Sequence, residues 1–333
     1  MTTDMRALVF SRFGPPDTLR EVRTDRPMLT DDRILVRVRA VSINPYDLHF
    51  LYGDPYVARP MLGIGIRRPR KPTTLGSDVA GTVEAVGGGV SGFAPGDEVF
   101  GLAGLGAMAE FVAVSPRSLA HKPPSLSFEE AASLPMAGVT ALQALRDVGK
   151  LQPGQRVLIN GAAGGVGSMA VQLAKALGAA EVTGVCSATN AERVRSLGAD
   201  RTIDYATDDF TRLADRYDLV LDTIGNHSTR ALARVVKPEG VLVLVGGGGG
   251  RWLGPIGQII GSKLVGPFVK PRVATMVAVG RAADLEFIAG LVEAGKVRPN
   301  VDRTYPFAKA AAALAYLETR HARGKVVITV AIE

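Results

Sequence analysis

Val157-Leu158-Ile159-Asn160-Gly161-Ala162-Ala163-Gly164-Gly165-Val166-Gly167 is the stretch on which the reading of this chain turns. Three apolar residues run into a turn of small ones, and beyond it Ala170, Leu173, Ala174 and Leu177 recur on one face of a helix. A strand that passes through glycine directly into a helix leaves the helix's first N–H groups unpaired and aimed over the turn. A pyrophosphate can approach there because no side chain stands in the way. A glycine motif alone is a weak signal, but the flanking strand, the amphipathic helix and the next strand at Val182 supply the context it needs. Gly161, Ala163, Gly164, Gly165, Val166 and Gly167 are therefore candidate residues for a dinucleotide.

Around this stretch, strand and helix alternate. Residues 182–186 precede a helix at 191–197, 202–203 form a short strand, 219–221 precede a helix at 228–236, and 241–245 close the run. That order predicts an α/β unit whose parallel sheet is covered on both faces, with ligands beyond the carboxyl ends of its strands. Earlier in the chain the texture differs. Ile34-Leu35-Val36-Arg37-Val38-Arg39-Ala40 alternates as a half-buried strand does, with further strands at 79–86, 98–100 and 110–114. Gly87-Gly88-Gly89 and Ala94-Pro95-Gly96-Asp97 provide the turns between them, which reads as an irregular β-barrel. A strand at 275–279, a helix at 284–294 and a last strand at 326–330 complete the chain. The predicted domains are 1–127 with 280–333, and 128–279.

An NAD-specific site places a carboxylate at the end of the second strand, against the ribose 2′-hydroxyl. Here that corner is Cys186-Ser187-Ala188-Thr189-Asn190. A 2′-phosphate would meet no repulsion, Ser187, Thr189 and Asn190 can donate hydrogen bonds to it, and Arg193 and Lys175 are cations nearby in sequence. NADPH is the expected cofactor, and a neutral corner that also accepts NADH is the alternative.

With 333 residues, 47% of them hydrophobic, the chain can bury the cores of two domains. Its 39 Lys and Arg against 32 Asp and Glu leave +7, too small and scattered a surplus for a nucleic-acid footprint. Cys186 is the only cysteine, which excludes an intrachain disulfide and a multi-cysteine zinc site and suits a reducing compartment. The start of the sequence has no apolar run with a cleavage site, and the apolar stretch 252–269 is interrupted by glycines, prolines and Lys263. The expectation is a cytoplasmic protein with no membrane span, and a loop or helix near a site at 252–269. His121, His227 and His321 show no partner pattern. Arg67-Arg68-Pro69-Arg70-Lys71 reads either as a guide for an anionic ligand or as a solvated loop.

Leu75-Gly76-Ser77-Asp78-Val79-Ala80-Gly81-Thr82-Val83-Glu84-Ala85-Val86-Gly87, followed by Phe93-Ala94-Pro95-Gly96-Asp97-Glu98-Val99, resembles the medium-chain dehydrogenase/reductase superfamily, in its zinc-independent, quinone oxidoreductase-like branch. Four further blocks agree: Ser42-Ile43-Asn44-Pro45-Tyr46-Asp47, Ala131-Ala132-Ser133-Leu134-Pro135 with Thr140-Ala141, the glycine turn, and Tyr316-Leu317-Glu318 with Gly324-Lys325-Val326-Val327. The resemblance implies a GroES-like β-barrel catalytic domain joined to a Rossmann domain, a doubly wound parallel sheet, with the cofactor in the cleft between them. It also implies a homodimer formed by pairing Rossmann edge strands, for which 275–279 is the candidate.

Zinc alcohol dehydrogenases of this superfamily use a cysteine, a Gly-His-Glu block and a four-cysteine structural site. By resemblance Asn44 stands at the ligand-cysteine position and Gly76-Ser77-Asp78 at the Gly-His-Glu block, so no zinc is expected. Without a metal, hydride transfer suits an acceptor that needs only modest electrophilic help: a conjugated C=C (enone or enal) or a quinone, with a hydrogen-bond donor to steady the developing enolate. The resemblance places Asn44 near the nicotinamide, where its amide can donate, the other reading being an Asn that braces a loop before proline. His49 stands where many quinone oxidoreductases carry tyrosine, and reads either as a proton donor or as a satisfied buried side chain. Tyr52 is the next candidate donor. The resemblance further assigns Thr140 to the nicotinamide ribose, Gly246, Gly247 and Gly248 to a close backbone approach to the ring, Tyr205 to the adenosine end, and Lys325 to the cofactor. Two other functions remain open on the sequence: an NAD(P)-dependent alcohol dehydrogenase or carbonyl reductase, and a non-catalytic dinucleotide-binding protein.

Overall fold

The computed structural model describes residues 4–59, 65, 68–245 and 255–330. The chain falls into two compact units, one of Met1–Val139, Gly280–Glu293 and Arg298–Glu333, the other of Thr140–Val279 with Ala294–Val297. The first boundary lies after Val139 rather than after residue 127. Helix α2 (Phe128–Ala132) packs on strands of the first unit, and Asp78 of that unit accepts the N–H of Met136 in the first turn of α3 (Pro135–Leu142).

The first unit begins with β1 (Asp4–Phe10), β2 (Arg20–Asp25), β3 (Ile34–Ile43), helix α1 (Pro45–Tyr52), β4 (Thr73–Thr74), β5 (Asp78–Val86), β6 (Glu98–Leu102), β7 (Phe111–Val114) and β8 (Leu119–His121). β3 organises it. Along one edge β3 pairs antiparallel with β5, while on the other its first half pairs with β7. Its second half pairs with the chain's last strand. A strand shared this way bends the sheet around a core. Val36, Val38, Val41 and Ile43 of β3 meet Leu51 and Met108 there, all but fully buried, while Arg39 points outward.

Pro45–Tyr52, the segment of the candidate donors that follows Asn44, forms α1. Asn44 has an extended backbone, Pro45 presets the first helical φ, the Asp47 carboxylate accepts the Asn44 N–H at 2.8 Å, and Gly53 ends the helix in the left-handed region at φ 62°.

The second unit runs β9 (Arg156–Asn160), α4 (Gly165–Ala176), β10 (Glu181–Cys186), α5 (Ala191–Ser196), β11 (Arg201–Asp204), β12 (Tyr217–Asp222), α6 (Thr229–Ala233), β13 (Val236–Leu244), α7 (Pro255–Val265) and β14 (Arg272–Thr275). The strands are parallel in the order β11-β10-β9-β12-β13-β14. This is the doubly wound sheet that the alternation predicted, with the order reversing beside β9, where such sheets bind ligands. The strand expected at 275–279 lies earlier. Among the described residues β14 pairs with β13 as far as Leu244, opposite Thr275, and Val277 and Val279 beyond it stand 81% and 57% exposed.

The stretch 252–269 contains α7, and no helix among the described residues is long and apolar enough to cross a membrane. The chain then supplies α8 (Ala282–Glu293), β15 (Val301–Pro306), α9 (Ala310–Glu318) and β16 (Lys325–Thr329) to the first unit.

Candidate cofactor and active-site residues

In the second unit, the turn from β9 to α4 is closed by contacts that only glycine permits. Gly161 has φ 87°, and a Cβ there would lie 2.4 Å from Thr223 Oγ1. A Cβ on Gly167 would lie 2.1 Å from the Gly161 carbonyl oxygen. Gly164 is the N-cap of α4 and no side chain caps it, so the first N–H groups of the helix, at Gly165, Val166 and Gly167, have no acceptor within the helix. Ala163, Gly164, Gly165 and Val166 are partly exposed beside them. An anion is the natural partner of such a helix start.

The turn is braced from the neighbouring strand. Asn160 Nδ2 donates to Asp222 Oδ1 at 2.8 Å and to Asn226 Oδ1 at 3.0 Å, and Thr223 Oγ1 donates to the Asn160 carbonyl at 2.7 Å. Asp222 Oδ1 also accepts the N–H groups of Ile224 and Gly225, both at 3.1 Å. Asp222 and Asn226 were missed in the sequence, where the signal available was the small-residue turn Asp222-Thr223-Ile224-Gly225 at the end of an apolar strand.

At the end of β10, Ser187 Oγ and Thr189 Oγ1 lie 3.0 Å apart, and Asn190 Nδ2 donates to Ser187 Oγ at 3.0 Å. The three expected residues therefore form one uncharged cluster, with Arg193 following in α5. Asn190 Oδ1 and Asp222 Oδ2 are among the buried side-chain atoms of the described residues that lack a partner. Asp222 ends β12 and Asn190 caps α5 just beyond β10, on the side of the sheet where donors of a bound dinucleotide would relieve them. Tyr205, 59% exposed just past β11, lines a depression of about 330 Å³ with Phe210, Asn226 and His227, and the His227 ring meets Phe210 edge-on at 4.9 Å. The uncapped helix start and the glycine cradle fit a nicotinamide dinucleotide. Thr140 is buried in α3, one turn past Met136, while Gly246, Gly247 and Gly248 lie outside the described residues.

The first unit holds a separate polar cluster. Asp78 is fully buried and Asn44 and Lys325 nearly so. Lys325 Nζ donates to Asn44 Oδ1, to Asp78 Oδ2 at 3.1 Å and to the Ile43 carbonyl at 3.4 Å, which uses all three of its protons. Asn44 Nδ2 donates to Asp78 Oδ2 at 3.1 Å and to the Ser42 carbonyl at 3.3 Å. Asp47 accepts from the N–H groups of Asn44 and Gly76. Burial raises the carboxyls of Asp47, to about 6, and of Asp78, with Lys325 opposing it at both.

These contacts engage three of the residues singled out in the sequence. Lys325 is a buried framework cation with no proton left for a cofactor. Asn44 has both amide protons turned inward and so presents an acceptor rather than a donor. The Tyr52 hydroxyl donates to Glu318 Oε1 on α9 at 2.5 Å, an exposed contact. His49 is neither free-standing nor a buried filler. It sits in the last turn of α1, part-exposed, with Nδ1 against the Asp54 carboxylate.

Among the described residues no three His, Cys, Asp or Glu side chains are grouped so as to hold a metal ion. Asn44, Ser77 and Asp78, with the Lys325 ammonium against two of them, do not fit zinc, which needs converging N and S ligands and no cation among them.

A parallel sheet with a bare glycine turn at its order reversal, joined to a β-unit with a buried polar cluster, defines a nicotinamide-dinucleotide protein of the medium-chain type. Residues 30–124 match the alcohol dehydrogenase GroES-like domain family and 197–328 the zinc-binding dehydrogenase family. The chain is 38% identical to the mitochondrial NAD(P)H oxidoreductase RTN4IP1 of Bos taurus, over 99% of this chain and 90% of that one. It is 35% identical to a chloroplastic NADPH-dependent alkenal/one oxidoreductase of Arabidopsis thaliana, over 98% of this chain and 79% of that one. The solved quinone oxidoreductase of Coxiella burnetii superposes with a TM-score of 0.86 at 33% identity, covering 98% of this chain and 100% of that one. The chain belongs to the medium-chain dehydrogenase/reductase superfamily of NAD(P)H-dependent oxidoreductases, in its quinone oxidoreductase-like branch.

Proposed function

We propose that this protein uses NADPH, without a metal ion, to reduce conjugated carbonyl compounds (enones or enals) or quinones. The observation that carries the cofactor reading is the uncharged cluster of Ser187, Thr189 and Asn190 at the strand end where NAD-specific sites keep a carboxylate. The acceptor class is supported by relatives named for alkenal/one, 2-methylene-furan-3-one and quinone reduction.

NADPH, when bound, supplies a hydride from nicotinamide C4. In conjugate reduction the hydride reaches the β-carbon, the π electrons move onto the carbonyl oxygen, and one proton is needed at the α-carbon. The N–H groups at the start of α4 would hold the pyrophosphate, and the Ser187 cluster with Arg193 would hold the 2′-phosphate. His49 delivers the proton: Asp54 accepts from Nδ1, which orients the ring and steadies the imidazolium, and Nε2 gives up the proton. No step passes through zinc, because Asn44, Ser77, Asp78 and Lys325 offer it no ligand set.

A homodimer belongs to the same reading. β14 ends the parallel sheet, and Phe268, Val277 and Val279 stand exposed beside its outer edge, a surface suited to a second copy. A cytoplasmic location is supported by the single, buried Cys186.

The test is NADPH oxidation by chelator-treated protein with an enone, an enal, a quinone and a simple ketone, with NADH in parallel. Turnover confined to conjugated acceptors and surviving the chelator is expected. Turnover on the ketone alone, or only after zinc is added, would replace this reading with an alcohol dehydrogenase. Tight NADPH binding without turnover would replace it with a binding protein.

A further inference from the structure

One end of the small sheet in the first unit gathers cations that the reduction does not use. Val9 and Phe10 of β1 pair antiparallel with Thr74 and Thr73 of β4, so Arg12 on the outgoing chain and Lys71 on the incoming one flank the same end of that ladder. Arg68 and Arg70 precede Lys71, and Arg67 lies outside the described residues. The chain is tightly turned here. Gly65 has φ 96°, a Cβ on it would lie 2.1 Å from the Arg68 carbonyl oxygen and 3.3 Å from the Arg70 nitrogen, and Pro69 is buried. Arg12, Arg68, Arg70 and Lys71 are all exposed, and none of them forms an ion pair among the described residues.

A third segment joins them. The Gly14 N–H donates to the Leu51 carbonyl at 3.0 Å, and a Cβ on Gly53 would lie 2.7 Å from the Phe13 ring, so the chain after α1 is seated against the chain after β1. The Arg59 guanidinium lies over the rings of Phe13 and Tyr56, at 4.4 and 4.3 Å, and donates to the Gly53 carbonyl at 2.5 Å. Phe13 and Tyr56 are part-exposed, and Val57 is 42% exposed. Residues 11–16, 53–59 and 68–74 thus hold five cations and one carboxylate, Asp54, which is engaged by His49. Like charges gathered in this way repel one another until an anion offsets them.

We propose that this face of the first unit binds the surface of an anionic lipid bilayer. The exposed cations stand on two separate segments, which suits an extended layer of headgroups better than a single phosphate group. Aromatic rings and an aliphatic side chain lie among them, the combination with which surfaces of folded proteins settle at a membrane interface. The centre of a protein–protein interface is instead depleted of charge, because these side chains would have to be desolvated there. Each Lys or Arg near an anionic bilayer contributes about fivefold to partitioning, an effect that salt screens. The inference goes beyond the reductase reading and does not rest on it, since the binding needs neither cofactor nor acceptor.

The experiment is flotation of the full chain with vesicles of phosphatidylcholine alone and of phosphatidylcholine mixed with phosphatidylserine, at low and at high salt. The parent should float with the mixed vesicles at low salt, be released by high salt, and ignore phosphatidylcholine. Arg68→Gln/Arg70→Gln/Lys71→Gln alters exposed side chains only, so it should keep the parent's thermal midpoint while binding the mixed vesicles at least about thirtyfold more weakly. Arg230→Gln/Arg234→Gln/Lys296→Gln removes the same charge from exposed positions elsewhere and should bind as the parent does. Equal weakening in the two triple variants would mean that net charge acts without this face, and it overturns the proposal. So does a parent that floats with both kinds of vesicle alike, or a first triple variant that floats as the parent does. A parent that ignores vesicles but is retained by poly-glutamate also overturns it, and assigns the face to an acidic protein.

Discussion

Asn160 and Asp222 face each other in register on adjacent parallel strands, and the 2.8 Å bond from Asn160 Nδ2 to Asp222 Oδ1 locks the glycine turn to the turn after β12. One oxygen of Asp222 serves three donors while the other is buried without a partner among the described residues. Asp222→Asn keeps the working oxygen and replaces the bare one with an amide nitrogen. Its thermal midpoint should stay close to the parent's, while NADPH affinity, measured by nucleotide fluorescence, should fall about tenfold because an acceptor for the cofactor has become a donor. Unchanged affinity would show that the bare oxygen does not serve the cofactor. Asp222→Ala should lower both stability and affinity, since it also leaves the N–H groups of Ile224 and Gly225 without an acceptor.

The glycines of the turn should separate into two kinds. A Cβ on Gly167 would lie 2.1 Å from the Gly161 carbonyl oxygen, so Gly167→Ala must displace backbone and should lower the thermal midpoint by about 5 °C or more. At Gly164 the nearest atom to a new Cβ, the Gly161 oxygen, is 3.5 Å away, an ordinary contact, and the backbone is extended. Gly164→Asp should therefore fold normally, yet place a carboxylate where the pyrophosphate would sit and abolish measurable NADPH binding. A stable Gly164→Asp protein that binds NADPH as the parent does would remove this turn from the cofactor site.

The second unit was legible in the sequence because its signals are local. Apolar strands such as 157–159 and 219–221 stand directly before helices with a single apolar face, and a parallel sheet follows from that order alone. The first unit was less so. β2 reads Arg-Glu-Val-Arg-Thr-Asp and is exposed along nearly its whole length, so no apolar alternation announces it. α1 was hidden behind Asn44-Pro45, although an Asn followed three residues later by Asp47 is an N-terminal capping pattern that could have exposed it. The contacts of Asn44 and Lys325 escaped the sequence for a different reason. Asp78 and Lys325 are 247 residues apart in the chain, and no spacing rule reports a partner at that distance.

Cofactor preference should follow the corner after β10. Ser187→Asp puts a carboxylate beside Thr189 and Asn190, repelling a 2′-phosphate while offering acceptors to a free 2′-hydroxyl. The ratio of kcat/KM for NADPH over NADH should drop by at least about tenfold. If the ratio does not move, selection lies elsewhere in the cofactor site.

Asp47 should leave a signature in the dependence of stability on pH. Burial is the largest influence on its carboxyl and raises it from 3.8 to about 6, with the neighbouring Asp78 adding to the rise. The N–H groups of Asn44 and Gly76 and the charge of Lys325 pull the other way without cancelling it. A carboxyl raised on folding holds its proton more tightly in the native state. Its contribution to stability is therefore complete below pH 3.8 and is lost as the pH climbs through 6, by roughly 3 kcal/mol if Asp47 acts alone. Asp47→Asn cannot ionise, and although it gives up one acceptor and starts from a lower stability, that deficit does not vary with pH. Asp78 is raised in the same direction but is present in both proteins, so it largely drops out of the comparison. Urea unfolding of the two proteins between pH 4 and pH 7 should show the stability difference shifting in favour of Asp47→Asn by about that amount, most of it before pH 7. A difference that stays constant across the window would mean that Asp47 ionises in the folded protein as it does in the unfolded chain, and that the N–H groups of Asn44 and Gly76 fully compensate its burial.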